Sequence, residues 1–290
     1  MEQFIITIDS SCDISNSFCK ENKIYPLYMK YTIENDVYTD TMEETDINKF
    51  YEKMEKGAVP KTTQINTDEF IRFFEPLLIY NKPIIHLSIS SGLSGTYANA
   101  LRAVKILKEK NSKADIRIID TLMTSGGNAL LLLDLIKIRN AEKSIDEGEQ
   151  YIESNKKMLN TFYTTPEMTY LYRGGRVKRI TAMVAGLLRM NPILKVNPSG
   201  ELVVHQTVPG EKKAIKRVVE LVEKNIIKEK NEQIIISHSN AKERAEKLGE
   251  ELIKNSGIKN IIYTQIGTTI GAHTGPGLIA VIFYGKERKV

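Results

Sequence analysis

The chain has 290 residues, 41% hydrophobic and 27% charged, a balance that describes a soluble globular protein with room for two domains of ordinary size. Its formal charge of +5 comes from 41 basic against 36 acidic side chains and is spread out, so no nucleic-acid partner is expected. No apolar stretch approaches the ~20 residues that cross a bilayer, and the N-terminus lacks the basic start and cleavage pattern of a signal peptide, so the expected location is cytoplasmic.

The opening run Phe4 to Ile8 is nearly continuous in apolar residues and reads as a buried strand that ends in Asp9-Ser10-Ser11. Cys12 and Cys19 follow with no histidine nearby, and His86, His205, His238 and His273 show no metal-ligand spacing, so neither metal nor cofactor is expected. Tyr25 to Ile33 reads as a second strand, and Asp36 to Asp46 as an acidic loop before a helix near Ile47 to Lys56. Lys61-Thr62-Thr63-Gln64 lacks a helical or strand period. It serves either as a connector or as a hydroxyl-bearing ligand loop ahead of the helix that starts at Thr67 and bends or ends at Pro76.

Pro83 to Ile89 is a second buried strand, followed at once by Ser90-Ser91-Gly92-Leu93-Ser94-Gly95 and a helix over Thr96 to Lys110. Tyr97, Leu101, Val104 and Leu107 mark that helix's expected inward face. Hydroxyls at the end of a strand and the start of a helix suit an anion, although the same residues also turn and cap. The spacing fits neither a P-loop nor the Gly-x-Ser-x-Gly elbow of hydrolases.

Asp115 to Ile119 is a further strand. Ala129 to Leu133 is apolar around most of its girth, which predicts a helix buried on more than one side. Ser144 to Glu147 is a capping box. Strands alternating with helices predict a doubly wound parallel sheet, in a domain placed at residues 1–157.

The second domain, residues 158–290, is expected to be mixed α/β because Pro198-Ser199-Gly200 joins two strands as a hairpin. It contains a strand over Thr161 to Thr165, a helix over Glu167 to Tyr172 stopped by Gly174-Gly175, and an almost uncharged helix over Ile180 to Met190. Beyond the hairpin, a helix, strand, helix and strand lead to the glycine-rich stretch Gly267 to Gly277, which includes His273, and to a last strand.

Six segments in this order resemble the DegV family of bacterial fatty-acid-binding proteins over essentially the whole chain. They are Asp9-Ser10-Ser11, Lys61-Thr62-Thr63-Gln64, Ser90 to Tyr97, Arg173-Gly174-Gly175-Arg176, Leu188 to Lys195 and Gly271 to Gly277. The resemblance implies two α/β domains that hold one long-chain fatty acid as ligand at their interface, with its tail in an apolar tunnel. It also implies that the chain is not itself an enzyme but presents the acid to a separate fatty acid kinase, which makes an acyl phosphate for phospholipid synthesis. The carboxylate ligands carried over are Thr62, with Thr63 beside it, Ser91 or else Ser94, and His273. Asp9, Ser10, Arg173 and Arg176 are further site or partner contacts, and a transient membrane contact is another expectation. Leu130 to Leu133 and Met183 to Leu188 are candidate tunnel walls.

Two places depart from the family pattern. Thr62-Thr63-Gln64-Ile65 stands where Thr-Ser-Gln-Pro is common, and Val208-Pro209-Gly210 stands where many members carry arginine and threonine. Two rival functions draw on the same residues. A serine hydrolase would use Ser91 or Ser94 with His273 and Asp9, and a nucleotide or phosphate binder would use the Ser-Gly loops.

Overall fold

The computed structural model of the chain describes residues 3–178 and 190–288. It begins with β1 (Ile5–Asp9), all five residues buried, as an apolar run without alternation requires. A 3₁₀ turn at Ser10–Cys12 leads to α1 (Asn16–Glu21) and β2 (Ile24–Leu27). The single strand expected over Tyr25 to Ile33 breaks after Leu27. β2 stays beside β1, while β3 (Lys30–Ile33) and β4 (Asp36–Thr39) form a separate antiparallel hairpin. The expected acidic loop is therefore partly strand, its side chains half-buried or exposed, which leaves no apolar alternation to read. α2 (Glu44–Glu55) packs Ile47, Phe50, Tyr51 and Met54 on this hairpin. β5 (Lys61–Thr63) then adds to β3 with Thr62 opposite Tyr31.

α3 (Thr67–Phe74) starts on a capping box made by Asn66 and Glu69, and a 3₁₀ turn containing Pro76 follows it. β6 (Ile84–Ser88), α4 (Thr96–Lys110), β7 (Ile116–Asp120), α5 (Gly126–Asn140) and α6 (Ile145–Asn155) complete the first half. Four parallel strands stand in the order β2-β1-β6-β7. Ile5, Ile84 and Ile116 face α3 and α4, whereas Ile6, Ile8 and Leu87 face α5, so the sheet is doubly wound. On α4 the buried stripe is Thr96, Asn99, Ala100, Ala103, Val104 and Leu107, and Leu101 is 44% exposed. The inward face is thus turned from the expected one, with alanines admitting Phe70 and Phe74 of α3.

From Leu159 the chain builds a second sheet. Its elements are β8 (Leu159–Thr164), α7 (Thr169–Gly174), β9 (Val177–Lys178), β10 (Met190–Val196), β11 (Leu202–Pro209), α8 (Glu211–Asn225), β12 (Ile234–His238), α9 (Lys242–Ser256), β13 (Ile261–Gln265), α10 (Thr268–Thr274) and β14 (Ile279–Tyr284). The strand order is β13-β12-β14-β8-β10-β11-β9, parallel at β12–β13 and β11–β9 and antiparallel elsewhere. α8 and α9 cover one face of it. Ile235, Ala280 and Ile282 of the other face share a core with Leu130, Leu131, Leu132 and Leu135 of α5, which lies between the two sheets and therefore needs apolar residues all round.

Of the helix expected over Ile180 to Met190, residues 180–189 lie outside the described residues, with Met183, Val184, Leu187 and Leu188 among them; Met190 opens β10. Among the described residues no helix is long and apolar enough to cross a membrane.

Candidate ligand-binding site

Three short segments meet where the two sheets and the small three-stranded sheet adjoin. β5 brings Thr62 and Thr63, the turn after β6 brings Ser90 to Gly95, and α10 brings His273. Among the described residues they enclose a cavity of about 510 Å³, within the roughly 300–1,000 Å³ usual for small-molecule sites. Its polar lining includes Thr62, Thr63, Gln64, Ser91, Ser94, Arg176 and His273, and its apolar lining includes Met29, Ile89, Leu93, Leu171, Leu202 and Ile270.

Thr62 and His273 are 211 positions apart in the sequence, yet Thr62 Oγ1 lies 2.7 Å from His273 Nε2. The other ring nitrogen, Nδ1, is buried beside Gly174 and has no hydrogen bond of good geometry among the described residues. Burial pushes the His273 imidazole down to about 4, and the nearby Arg176 cation adds to the effect, so the ring is neutral at pH 7. A neutral ring that donates from Nε2 to Thr62 leaves the Thr62 hydroxyl proton free for a ligand.

The serines of the turn have different tasks. Ser90 is fully buried, donates to the Gly200 carbonyl at 2.8 Å and accepts from the Gly92 N–H, which ties the turn to the β10–β11 hairpin. The Ser91 N–H binds Asp120 Oδ1 at 3.1 Å, while its hydroxyl has no hydrogen bond among the described residues and lines the cavity. Ser94 Oγ is shared with Thr96, 2.9 Å from the Thr96 hydroxyl and accepting the Thr96 N–H, so it starts α4. A Cβ on Gly95 would lie 2.3 Å from Gln64 Oε1, so the Gln64 side chain packs directly against the bare backbone of the turn. The Thr63 hydroxyl donates to the Lys30 carbonyl at 3.2 Å.

Other expected contacts lie elsewhere. Asp9 and Ser10 are fully buried and do not line the cavity. Asp9 accepts from the Ile89 N–H at 2.7 Å and from the backbone and hydroxyl of Ser11, which joins the ends of β1 and β6. Desolvation raises its carboxyl to about 6. Ser10 binds Asp40 and the Met29 N–H. Neither can be a surface partner contact, because each sits at a strand end already covered by the next layer. Arg176 lines the cavity and donates to the Gly174 carbonyl at 2.8 Å, whereas Arg173 is exposed outside the lining. Leu130 to Leu133 do not line the cavity either, since α5 spends its apolar girth between the sheets.

The hydrolase arrangement is not assembled: His273 binds Thr62 rather than a serine, and Asp9 binds Ser11 and Ile89 rather than His273. Sequence reasoning had not singled out Met29, Ile89, Leu171, Leu202 and Ile270. Ile89 carried one signal, being an apolar residue just past the carboxyl end of a parallel strand. A larger cleft of about 940 Å³, lined by residues such as Asp13, Phe18, His238 and Lys242, holds none of Thr62, Ser91, Ser94 and His273.

A family model described as "Uncharacterised protein, DegV family" matches residues 3–286. A DegV domain-containing protein of Clostridium perfringens is 36% identical over 290 residues, covering all of both chains. The crystal structure of a DegV lipid-binding protein from Thermotoga maritima is 25% identical with a TM-score of 0.85, over 99% of this chain and 100% of that one. The Streptococcus pneumoniae fatty acid kinase (Fak) B3 protein, solved loaded with linoleic acid, shares the fold with a TM-score of 0.82 at 20% identity, over 97% and 99% of the two chains.

Proposed function

Since this chain belongs to the DegV family, we propose that it binds one long-chain fatty acid in the 510 Å³ cavity and presents the carboxylate to a separate fatty acid kinase. In this reading the protein holds the substrate and does no chemistry on it. The domains are 1–157 and 158–290, and the ligand lies between them. Loading by transient contact with a membrane belongs to the same reading.

The observation that carries the proposal is the Thr62–His273 pair at 2.7 Å, lining the same cavity as a Ser91 hydroxyl with no partner among the described residues and as the apolar Met29, Ile89, Leu93, Leu171, Leu202 and Ile270. A carboxylate leaving water needs several donors, because a buried charge without them is strongly disfavoured. The Thr62 and Ser91 hydroxyls supply two, and His273 fixes the first of them. Arg176 at the lining adds positive charge. Ser94 and Thr63 are secondary candidates, since each hydroxyl already has a protein partner. The tail contributes the larger share of affinity, roughly 0.8 kcal/mol for each CH₂ removed from water. The named T. maritima and S. pneumoniae structures support the reading through the lipid-binding and fatty-acid-loaded states that they describe.

Denaturing extraction of the purified protein, followed by mass spectrometry, tests the proposal. One equivalent of a long-chain fatty acid per chain is the expected result. A protein that comes off empty and refuses added oleate and palmitate would refute it.

A further inference from the structure

Asp40 lies just past β4, at the foot of the small sheet whose β5 carries Thr62, and is fully buried. Its Oδ2 accepts from three donors: the Ser10 hydroxyl at 3.1 Å, the Thr269 hydroxyl at 2.6 Å and the Thr269 N–H at 3.3 Å. Its own N–H donates to the Met29 carbonyl at 2.9 Å. Thr269 is the second residue of α10 and His273 follows four residues later, so both project from one face of that helix. The small sheet and α10 therefore meet twice, at Asp40–Thr269 and at Thr62–His273. A second carboxylate, Asp13, accepts the N–H of Gly267 at 2.9 Å just before α10, and Tyr51 Oη donates to the Ile266 carbonyl at 2.9 Å.

A helix of seven residues has few hydrogen bonds of its own, and its orientation follows from whatever holds its ends. From this geometry we infer that Asp40 is the positioning residue of the ligand site: by gripping Thr269 it sets the rotation of α10 and so the distance between Thr62 and His273. Asp13 fixes the backbone entering the helix. A carboxylate oxygen suits the task because it accepts from all three donors at once. The role in ligand binding rests on the fatty-acid reading, while the placement of His273 does not.

The test compares wild type with Thr269→Val, Thr269→Ser and Asp40→Ala, which removes the acceptor oxygen. It measures oleate affinity, thermal stability and the imidazole ¹⁵N shifts of His273 in ligand-free protein. Thr269→Val and Asp40→Ala should move the His273 shifts and weaken oleate binding about tenfold, the scale of one hydrogen bond to a charged group. Thr269→Ser, which keeps the hydroxyl, should retain both properties. Should Asp40→Ala fail to fold, the Val and Ser variants at Thr269 carry the test alone. A lower melting temperature with unchanged His273 shifts would overturn the inference and leave Asp40 as a packing residue. A wild type that takes up no oleate would sink the fatty-acid reading instead, and the imidazole shifts would still decide the positioning role.

Discussion

Thr62 shows how much of a site's chemistry a single hydroxyl can hold. Its oxygen faces His273 at 2.7 Å, and with the ring proton on Nε2 its own O–H is left to donate to a ligand carboxylate. Thr62→Val keeps the shape and removes both bonds, so fatty-acid affinity should fall about 10- to 100-fold, the range for a hydrogen bond to a charged group. Equilibrium binding of oleate measures it, and unchanged affinity would remove Thr62 from the site. Ser91→Ala should weaken binding toward the lower end of that range with no loss of stability, because the Ser91 hydroxyl holds nothing else among the described residues. Equal affinities in Ser91→Ala and wild type would transfer the role to Ser94. The sequence alone could not rank these serines. The ranking depends on which hydroxyl is already engaged, and Ser94 is occupied by Thr96. His273 likewise joined Thr62 in one site only through the resemblance, since a separation of 211 positions leaves no local pattern to connect them.

At the scale of elements, what could be read depended on periodicity. α4 spans Thr96–Lys110 as expected, because fifteen residues of helical pattern follow a clear turn. β4 and β5 were missed because short, exposed strands in a three-stranded sheet have no alternating apolar face. α10 was missed for another reason: its glycines argue against a helix unless the neighbouring layer is known. A Cβ on Gly271 would lie 2.6 Å from Tyr51 Oη and 3.0 Å from Phe50 Cε1, so this glycine allows α10 to sit directly on α2. Gly271→Ala should push the two helices apart at a cost of about 1–3 kcal/mol, as overpacking does. It should also loosen the Thr62–His273 pair, since His273 stands two residues further along the same helix. Urea denaturation together with oleate binding checks both effects, and a variant as stable and as tight-binding as wild type would show that the contact is slack.

Across the whole molecule the buried titratable groups pull stability in opposite directions as pH changes. His86 sits edge-on against Phe70 and Phe74, and burial holds it down at about 3; His273 is held at about 4. Both lie below the ordinary value near 6.5, so the stability that they protect is present above that pH and is lost as pH falls through their folded values. Asp9 behaves in the reverse sense. Desolvation raises its carboxyl from 3.8 to about 6 against the hydrogen bonds from Ser11 and Ile89, and nearby Asp40 adds to the rise. Its contribution is complete below about 3.8 and is lost as pH climbs through about 6. Asp9→Asn removes the charge and keeps one carbonyl oxygen for the Ile89 N–H. The unfolding free energy of wild type minus that of the variant should therefore fall by about 2 kcal/mol between pH 4 and pH 7, most of what a shift of roughly two pH units is worth. Urea unfolding of both proteins at pH 4, 5, 6 and 7 gives this difference directly. Parallel curves would mean that Asp9 titrates alike in the folded and unfolded chains, and that the junction of β1 with β6 holds an ordinary carboxylate.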